Sequence, residues 1–99
     1  MKREPTELTR LRIALGLRSA RSVARKLGLR GDRVVALEHG TSPASPAMLA
    51  AYAAALRADA GYVAVLYWRV RAAWCRERLR EAELALEQAI ASRPKDQRA

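Results

Sequence analysis

The side chains of this sequence best suited to chemistry are its arginines and lysines. The 99 residues include 19 Lys and Arg against 10 Asp and Glu, a formal net charge of +9. Residues 1–40 carry ten basic and four acidic side chains, net +6, and the rest of the chain carries nine against six, net +3. Basic charge concentrated in one part of a chain is typical of nucleic-acid binding. The alternative is a small helical bundle whose arginines form a solvated face.

Residues that usually carry catalysis or bind metals are almost absent. His39 and Cys75 are the only His and Cys, so they provide neither a zinc site nor an internal disulfide. No Ser-His-Asp set, paired carboxylates or glycine-rich phosphate loop is found, and we expect neither enzyme activity nor a cofactor. We expect His39 at a helix C-terminus, near its dipole or a phosphate, and Glu38 in a pair with a nearby arginine. Cys75 is interpreted as a small apolar packing residue, with a redox role as the alternative.

Four short helices are predicted before residue 60. Ser19 and Ser45 are suitable N-caps of the second and fourth, and Gly16, Gly28 and Gly40 are suitable ends of the first three. The third starts at Gly31 or Asp32 and ends at His39. The expected inward side chains are Leu8, Leu11 and Leu15, then Val23, Ala24 and Leu27, then Val34 and Leu37, then Met48 or Leu49 with Tyr52, Ala53 and Leu56. Helices this short must pack on one another to be stable.

A fifth, much longer helix is predicted after an N-cap at Asp59, because no proline follows before Pro94. Some 32 helical residues would be about 48 Å long. Residues 62–75 are apolar on nearly every face, which predicts burial on more than one side. Its aromatic residues, Tyr62, Tyr67, Trp68 and Trp74, are expected in a core or an interface rather than as base-stacking platforms.

A coiled-coil pattern runs along this long helix. Apolar and small residues recur at alternate spacings of three and four over four heptads. We call them the seam: Val65, Trp68, Ala72, Cys75, Leu79, Ala82, Leu86 and Ala89. The seam predicts pairing of two long helices as a dimer. Their direction stays open, because a parallel pair would place Arg78 near Glu83 of the partner but Arg71 near Arg76.

A block of small and apolar residues runs through the second and third predicted helices. It consists of Val23-Ala24, Leu27-Gly28-Leu29, Val34, Leu37-Glu38 and Gly40, followed by Pro43 and the helix from Leu49 to Leu56. A small Ala24 suits a helix crossing, Gly28 permits a sharp turn, and Val34 and Leu37 hold the third helix against the second. Over residues 8–60 the chain resembles the helix-turn-helix proteins of the lambda-repressor and Cro-like family, also called the xenobiotic-response-element family. The resemblance implies that the third helix presents its outer face to DNA.

The sequence departs from the family pattern at the start of both helices. An extra residue lies between Gly16 and Ser19, Ala20 stands where a glutamine is usual, and Gly31-Asp32 replaces the polar residue that opens the third helix. The family's usual amide contacts to phosphates and bases are therefore missing.

Other residues are predicted to contact DNA in their place. Arg30 and Arg33 are natural substitutes, since a guanidinium can bond to guanine O6 and N7, and contact with phosphate alone is the open alternative. Arg33 is expected to project from the first turn of the third helix, opposite the inward Val34 and Leu37. Asp32 could accept from a cytosine amine or hold an arginine, and the Ala36 methyl could touch thymine. Phosphate contacts are expected from Ser19, Arg21, Thr41 and Ser42.

These patterns together predict an all-α, five-helix, lambda-repressor-like helix-turn-helix domain whose last helix extends for dimerisation. The expected organisation is a DNA-binding domain over residues 1–60, a dimerisation helix over 61–92 and a frayed tail over 93–99. The expected function is a small homodimeric repressor that binds an inverted-repeat operator in double-stranded DNA. The alternative is an antitoxin or adaptor whose long helix binds a different protein. With no apolar segment near the N-terminus and none long enough to span a bilayer, we expect a cytoplasmic protein, bacterial or phage, associated with the nucleoid.

Overall fold

The computed structural model describes residues 4–93, and this part of the chain is entirely helical. Its five helices are α1 (Glu7–Ala14), α2 (Ala20–Leu27), α3 (Gly31–His39), α4 (Pro46–Leu56) and α5 (Ala60–Ala91). The first four form one cluster against the start of α5, and the rest of α5 projects from it, which gives overall dimensions of 61 × 29 × 21 Å. The all-α prediction with a long last helix is confirmed.

Side chains cap the starts of four of the five helices. The Thr6, Ser19 and Ser45 hydroxyls and the Asp59 carboxylate accept from backbone N–H groups three residues later, at 2.8–3.3 Å. N–H groups in the first turn of a helix have no partner one turn earlier, so a cap supplies an acceptor. The Ser22 N–H has a second acceptor, the Ser19 carbonyl at 3.2 Å. The predicted caps Ser19, Ser45 and Asp59 are confirmed.

One apolar core joins all five helices. Its buried members are Leu8, Val23, Ala24, Val34, Leu37, Leu49, Tyr52, Ala53, Leu56, Val63, Leu66 and Tyr67. The inward residues predicted for α2, α3 and α4 are confirmed, with Leu27 partly buried. Of the two candidates in the first turn of α4, Leu49 is buried and Met48 packs against the core from its edge.

The prediction for α1 is wrong at Leu15. The helix ends at Ala14, and Leu15 is its C-cap with 46% of its surface exposed. The inward position four residues after Leu8 is occupied by Arg12, which is 6% exposed. Leu15 follows the last helical residue, and its side chain stays at the surface.

The core extends into α5 well beyond residue 60. Val63, Leu66 and Tyr67 are buried, and the Tyr67 hydroxyl donates to the Ser42 carbonyl at 2.8 Å. From Cys75 to Arg93 every described residue is exposed. We call residues 6–71 the head, and the remainder of α5 the projecting helix.

Gly40, the C-cap of α3, packs against the backbone of α5 at Arg71. It adopts a left-handed conformation (φ 69°) after α3, and its carbonyl accepts from Arg71 Nη1 at 2.9 Å. A Cβ at this position would lie 2.8 Å from both the Cα and the N of Arg71. Neither the backbone angle nor the packing leaves room for a side chain.

Replacing Gly40 by alanine should lower the free energy of unfolding by about 2–4 kcal/mol, because left-handed strain and a backbone clash add. Gly28→Ala is the matched control, since Gly28 has φ 66° but no atom within 4 Å of an added Cβ. It should cost only the strain, about 1 kcal/mol. Urea denaturation of both variants measures the difference, and equal losses would contradict the close contact with α5.

Among the described residues, no single helix is long and apolar enough to cross a membrane, and α4 with α5 reaches that length and composition only as a bent pair. Most of the predicted frayed tail, from residue 94 onward, lies outside the described residues.

Candidate nucleic-acid interface

A short turn fixes α3 against α2. Gly28 ends α2 in the left-handed conformation (φ 66°), and the Leu29 N–H donates back to the Ala24 carbonyl at 2.9 Å. Only Gly28, Leu29 and Arg30 separate the two helices. Val23 and Ala24 of α2 are fully buried, and the small Ala24 side chain lets the helices approach closely. The outer face of α3 is thereby held in one orientation.

That outer face carries polar, charged and small apolar side chains. Val34, Leu37 and Glu38 point into the core, whereas Asp32, Arg33 and Val35 are exposed and Ala36 is partly exposed. Val35, 44% exposed, was not among the predicted contact residues. The sequence could have indicated Val35, because each residue advances about 100° around a helix. Val35 therefore lies about 100° from the inward Val34 and on the same side as Ala36.

A buried polar network anchors the inner face of α3. The Glu38 carboxylate accepts from Arg12 Nε at 2.7 Å, the Tyr52 hydroxyl at 2.5 Å and the Thr9 hydroxyl at 3.1 Å. The Thr6 hydroxyl donates to the Glu38 carbonyl at 2.6 Å. The prediction that Glu38 pairs with an arginine is confirmed, and the network ties α3 to both α1 and α4.

The buried polar atoms of this network have hydrogen-bond partners. Arg12 Nη1 donates to the Leu17 carbonyl at 2.7 Å, and no buried side-chain N or O atom among the described residues lacks a partner. Burial, and then the hydrogen bond to Glu38, raises the pKa of Tyr52 far above its usual value. The Tyr52 hydroxyl therefore keeps its proton and remains a donor to the carboxylate.

Arg30 and Asp32 lie at the exposed start of α3. Arg30 is the residue before the helix and forms no side-chain cap. Its Nε lies 3.3 Å from Asp32 Oδ1, and the two side chains are 84% and 67% exposed. Exposed ion pairs contribute little free energy, so either group can exchange this partner for another.

Arg33 lies at the rim of a groove instead of pointing directly away from the core. The groove, of about 270 Å³, is also lined by Leu37, Ser42 and Pro43. We expected Arg33 opposite Val34 and Leu37, but Arg33 and Leu37 lie only about 40° apart around the helix axis. Arg33 is nevertheless exposed, and the structure brings it together with Ser42.

The four residues predicted to contact phosphates differ in their exposure and in the hydrogen bonds that they already form. Arg21 is exposed at the start of α2. The Oγ of the cap Ser19 lies 2.9 Å from the Ser22 Oγ. The Thr41 N–H and hydroxyl both donate to the Ala36 carbonyl, at 3.1 and 3.4 Å. Thr41 is thus engaged inside the chain, whereas Arg21 and Ser42 are exposed.

The basic residues of the first three helices and their connections are on the surface, with one exception. Arg10, Arg18, Arg21, Arg25, Lys26, Arg30 and Arg33 are all exposed. Arg12 was counted with the positive surface but is buried in its pair with Glu38. Because this pair removes one charge of each sign, the net charge of +6 over residues 1–40 is unchanged by it.

The seam of α5 is uncovered in the single chain. All eight of its residues are exposed, Leu79 and Leu86 each to 60%. The first turns of α5 are therefore buried on the head side alone, and Tyr67 is the one aromatic residue of α5 in the core. Trp74 is partly buried and stacks with the guanidinium groups of Arg71 and Arg78 at 5.2 and 5.7 Å from its ring centre.

His39 and Cys75 lie on different helices, α3 and α5. His39 is in the last turn of α3, with Nδ1 3.0 Å from the Val35 carbonyl, as expected for a helix C-terminus. Cys75 is an exposed free thiol on the projecting helix. Residues 4–93 hold no group of three His, Cys, Asp or Glu side chains that could bind a metal ion.

Comparison with protein-family models, with curated proteins and with solved structures finds no match for this chain. The chain has a helix, α3, that is anchored by a buried polar network and has an exposed polar face. Exposed basic residues surround it, and the projecting helix carries an uncovered apolar seam.

Proposed function

We propose that this chain is a sequence-specific DNA-binding regulator that acts as a homodimeric repressor on an inverted-repeat operator. The observation that supports it best is the α2–turn–α3 unit. Its second helix is anchored through Glu38 on one face and exposes Asp32, Arg33, Val35 and Ala36 on the other. This is the arrangement that a helix needs in order to enter a major groove, as in the family that the sequence resembles.

Within this proposal, α3 reads bases and the surrounding residues position it. Arg33 and Arg30 supply guanidinium groups for guanine, Asp32 accepts from cytosine or orients Arg30, and Ala36 and Val35 meet thymine methyls. Ser19, Arg21 and Ser42 contact phosphates. Thr41 contributes mainly by holding the end of α3, because its donors are engaged with the Ala36 carbonyl.

Replacing Arg33 by alanine should weaken binding to the preferred site by about 1–3 kcal/mol and relax the preference at one base pair. Arg21→Ala is the matched control: it should weaken all sequences about equally and lower the salt dependence, because a phosphate contact is independent of sequence. Titrations of selected and random duplexes at several salt concentrations measure both. If Arg33→Ala weakened binding to both duplexes by the same factor, Arg33 would contact phosphate only. The base contacts would then come from Arg30, Asp32, Val35 or Ala36.

The exposed seam also favours a second candidate, a protein that binds a different partner chain through α5, as an antitoxin or adaptor does. The two candidates differ in solution. A homodimeric regulator has twice the chain mass by itself and binds its own upstream DNA in half-sites about 34 Å apart, or a multiple of that. An adaptor is monomeric until its partner is added. Mass measurement followed by DNA titration separates them.

A further inference from the structure

The projecting half of the seam alternates large and small side chains. Leu79 and Leu86 occupy one of the two core positions of the heptad, and Cys75, Ala82 and Ala89 occupy the other. Both leucines are 60% exposed and nothing in the described chain covers them. Because of this alternation, the large side chains of one helix can lie opposite the small side chains of a second copy that runs in the opposite direction.

We propose that a second copy of this chain covers the seam in the antiparallel direction and in one register. In that register Leu79 lies opposite the partner's Ala82, Leu86 lies opposite the partner's Cys75, and Ala72 lies opposite the partner's Ala89. The inference rests on the homodimer of the proposed function, but not on its binding to DNA.

Packing favours the antiparallel direction. In a parallel pair each seam residue meets its own copy, so Leu79 would face Leu79 and the next layer would place Ala82 against Ala82. Layers of two leucines and layers of two alanines require different helix separations, and the small layers would leave voids that lose contact energy. Antiparallel pairing puts a large residue against a small one in both leucine layers, which suits a single separation.

Charge selects the register. In the proposed alignment Arg76 lies beside the partner's Glu83, and symmetry produces this contact twice. If the partner were shifted one heptad toward the heads, Arg76 would lie beside the partner's Arg76 and Arg78 beside the partner's Arg78. If it were shifted one heptad away, Glu83 would lie beside the partner's Glu83. Both shifts bring like charges together. Among the described residues, neither Arg76 nor Glu83 forms an ion pair within its own chain, so both are available.

This pairing also sets the distance between the heads. The overlap from Ala72 to Ala89 is about 27 Å long, and the two Gly40–Arg71 contacts, where α3 meets α5, would be about 29 Å apart along the helix axes. That distance is close to one turn of DNA, about 34 Å. An antiparallel pair therefore spaces the two heads along the helix axes by a distance similar to the spacing of adjacent half-sites.

The substitution Arg76→Glu tests the direction by the sign of its effect. In the proposed dimer the new carboxylate lies beside the partner's Glu83 on both sides, and the dimer dissociation constant should rise about tenfold. In a parallel pair it would lie beside the partner's Arg71 and the constant would fall. The double variant Arg76→Glu with Glu83→Arg should restore wild-type affinity. Each new side chain precedes an opposite charge by four residues, Arg80 or Glu87, so the helix itself is not weakened.

A distance measurement tests the register. The variant Cys75→Ala with Ser92→Cys carries one nitroxide label per chain, at position 92. The two labels should be about 35 Å apart in the proposed dimer, because the helix rises about 1.5 Å per residue. In a parallel pair they would be less than about 20 Å apart. A short distance, a monomeric mass or a decrease of the dissociation constant with Arg76→Glu would overturn the inference. A dimer with the long distance that fails to bind DNA would remove the proposed function and leave this inference standing.

Discussion

The isosteric variant Glu38→Gln should lower the free energy of unfolding by about 3–5 kcal/mol, the usual cost of leaving a buried charge without its partner. Glu38 is 1% exposed, and its carboxylate is the counter-charge of a guanidinium that is itself buried. Glutamine keeps the shape but removes the negative charge, so Arg12 stays desolvated and unpaired. Urea denaturation followed by circular dichroism measures the loss.

A double-mutant cycle with Arg12→Met isolates the pair. Each single variant leaves one uncompensated buried charge, whereas the double variant leaves none, so its loss should be smaller than the sum of the two by about 2 kcal/mol or more. Glu81→Gln is the control, because it breaks an exposed pair with Arg78 at 3.1 Å and should cost under about 1 kcal/mol. A loss for Glu38→Gln no larger than that of the control would mean that the pair is not desolvated.

The parts of the fold that could be predicted are those set by local rules. Ser19 and Gly28 delimit α2 because an N-cap hydroxyl and a left-handed C-cap act within a few residues. The core residues of α3 and α4 follow from helical periodicity, because tertiary packing here agrees with the amphipathic pattern. The length of α5 follows from the absence of proline between Asp59 and the end of the described chain.

The parts that could not be predicted depend on contacts distant in sequence. Glu38 was expected to pair with an arginine, but its partner Arg12 is 26 residues upstream on another helix. No local pattern distinguishes Arg12 from the exposed arginines around it, and burial of a charge becomes favourable only when Tyr52 and Thr9 also converge on the carboxylate. Likewise, the C-cap of α4, Arg57, adopts a left-handed conformation (φ 56°) that the sequence does not indicate.

The candidate interface shows the same division. The exposure of Arg30, Asp32 and Arg33 follows from their place at the start of a helix whose inner face is fixed by Val34 and Leu37. The position of Arg33 beside Ser42 does not follow from the sequence pattern, because it depends on the path of the segment between Gly40 and α4. Sequence patterns therefore identify which residues of α3 are exposed, while the folded chain determines which of them lie together.

The seam provides the second large expected effect. Replacing Leu79 and Leu86 by glutamate should raise the dimer dissociation constant by about 1000-fold or more, since a dimer would lose four buried leucines at about 1.5–3 kcal/mol each. Both side chains are exposed in the single chain, so the head should keep its wild-type melting behaviour. Sedimentation equilibrium measures the mass, and circular dichroism confirms that the head is folded.

Leu84→Glu is the matched control, because Leu84 is also exposed on the projecting helix, to 50%, but lies outside the seam. It adds the same charge to the same helix and should leave the dimer intact, which separates loss of seam contacts from a general effect of acidic substitutions. If the seam carries dimerisation, the double variant should also bind an inverted repeat no better than a single half-site, because its two heads are no longer linked. Equal weakening by Leu84→Glu, or a double variant that remains dimeric, would place the interface on another face of the chain.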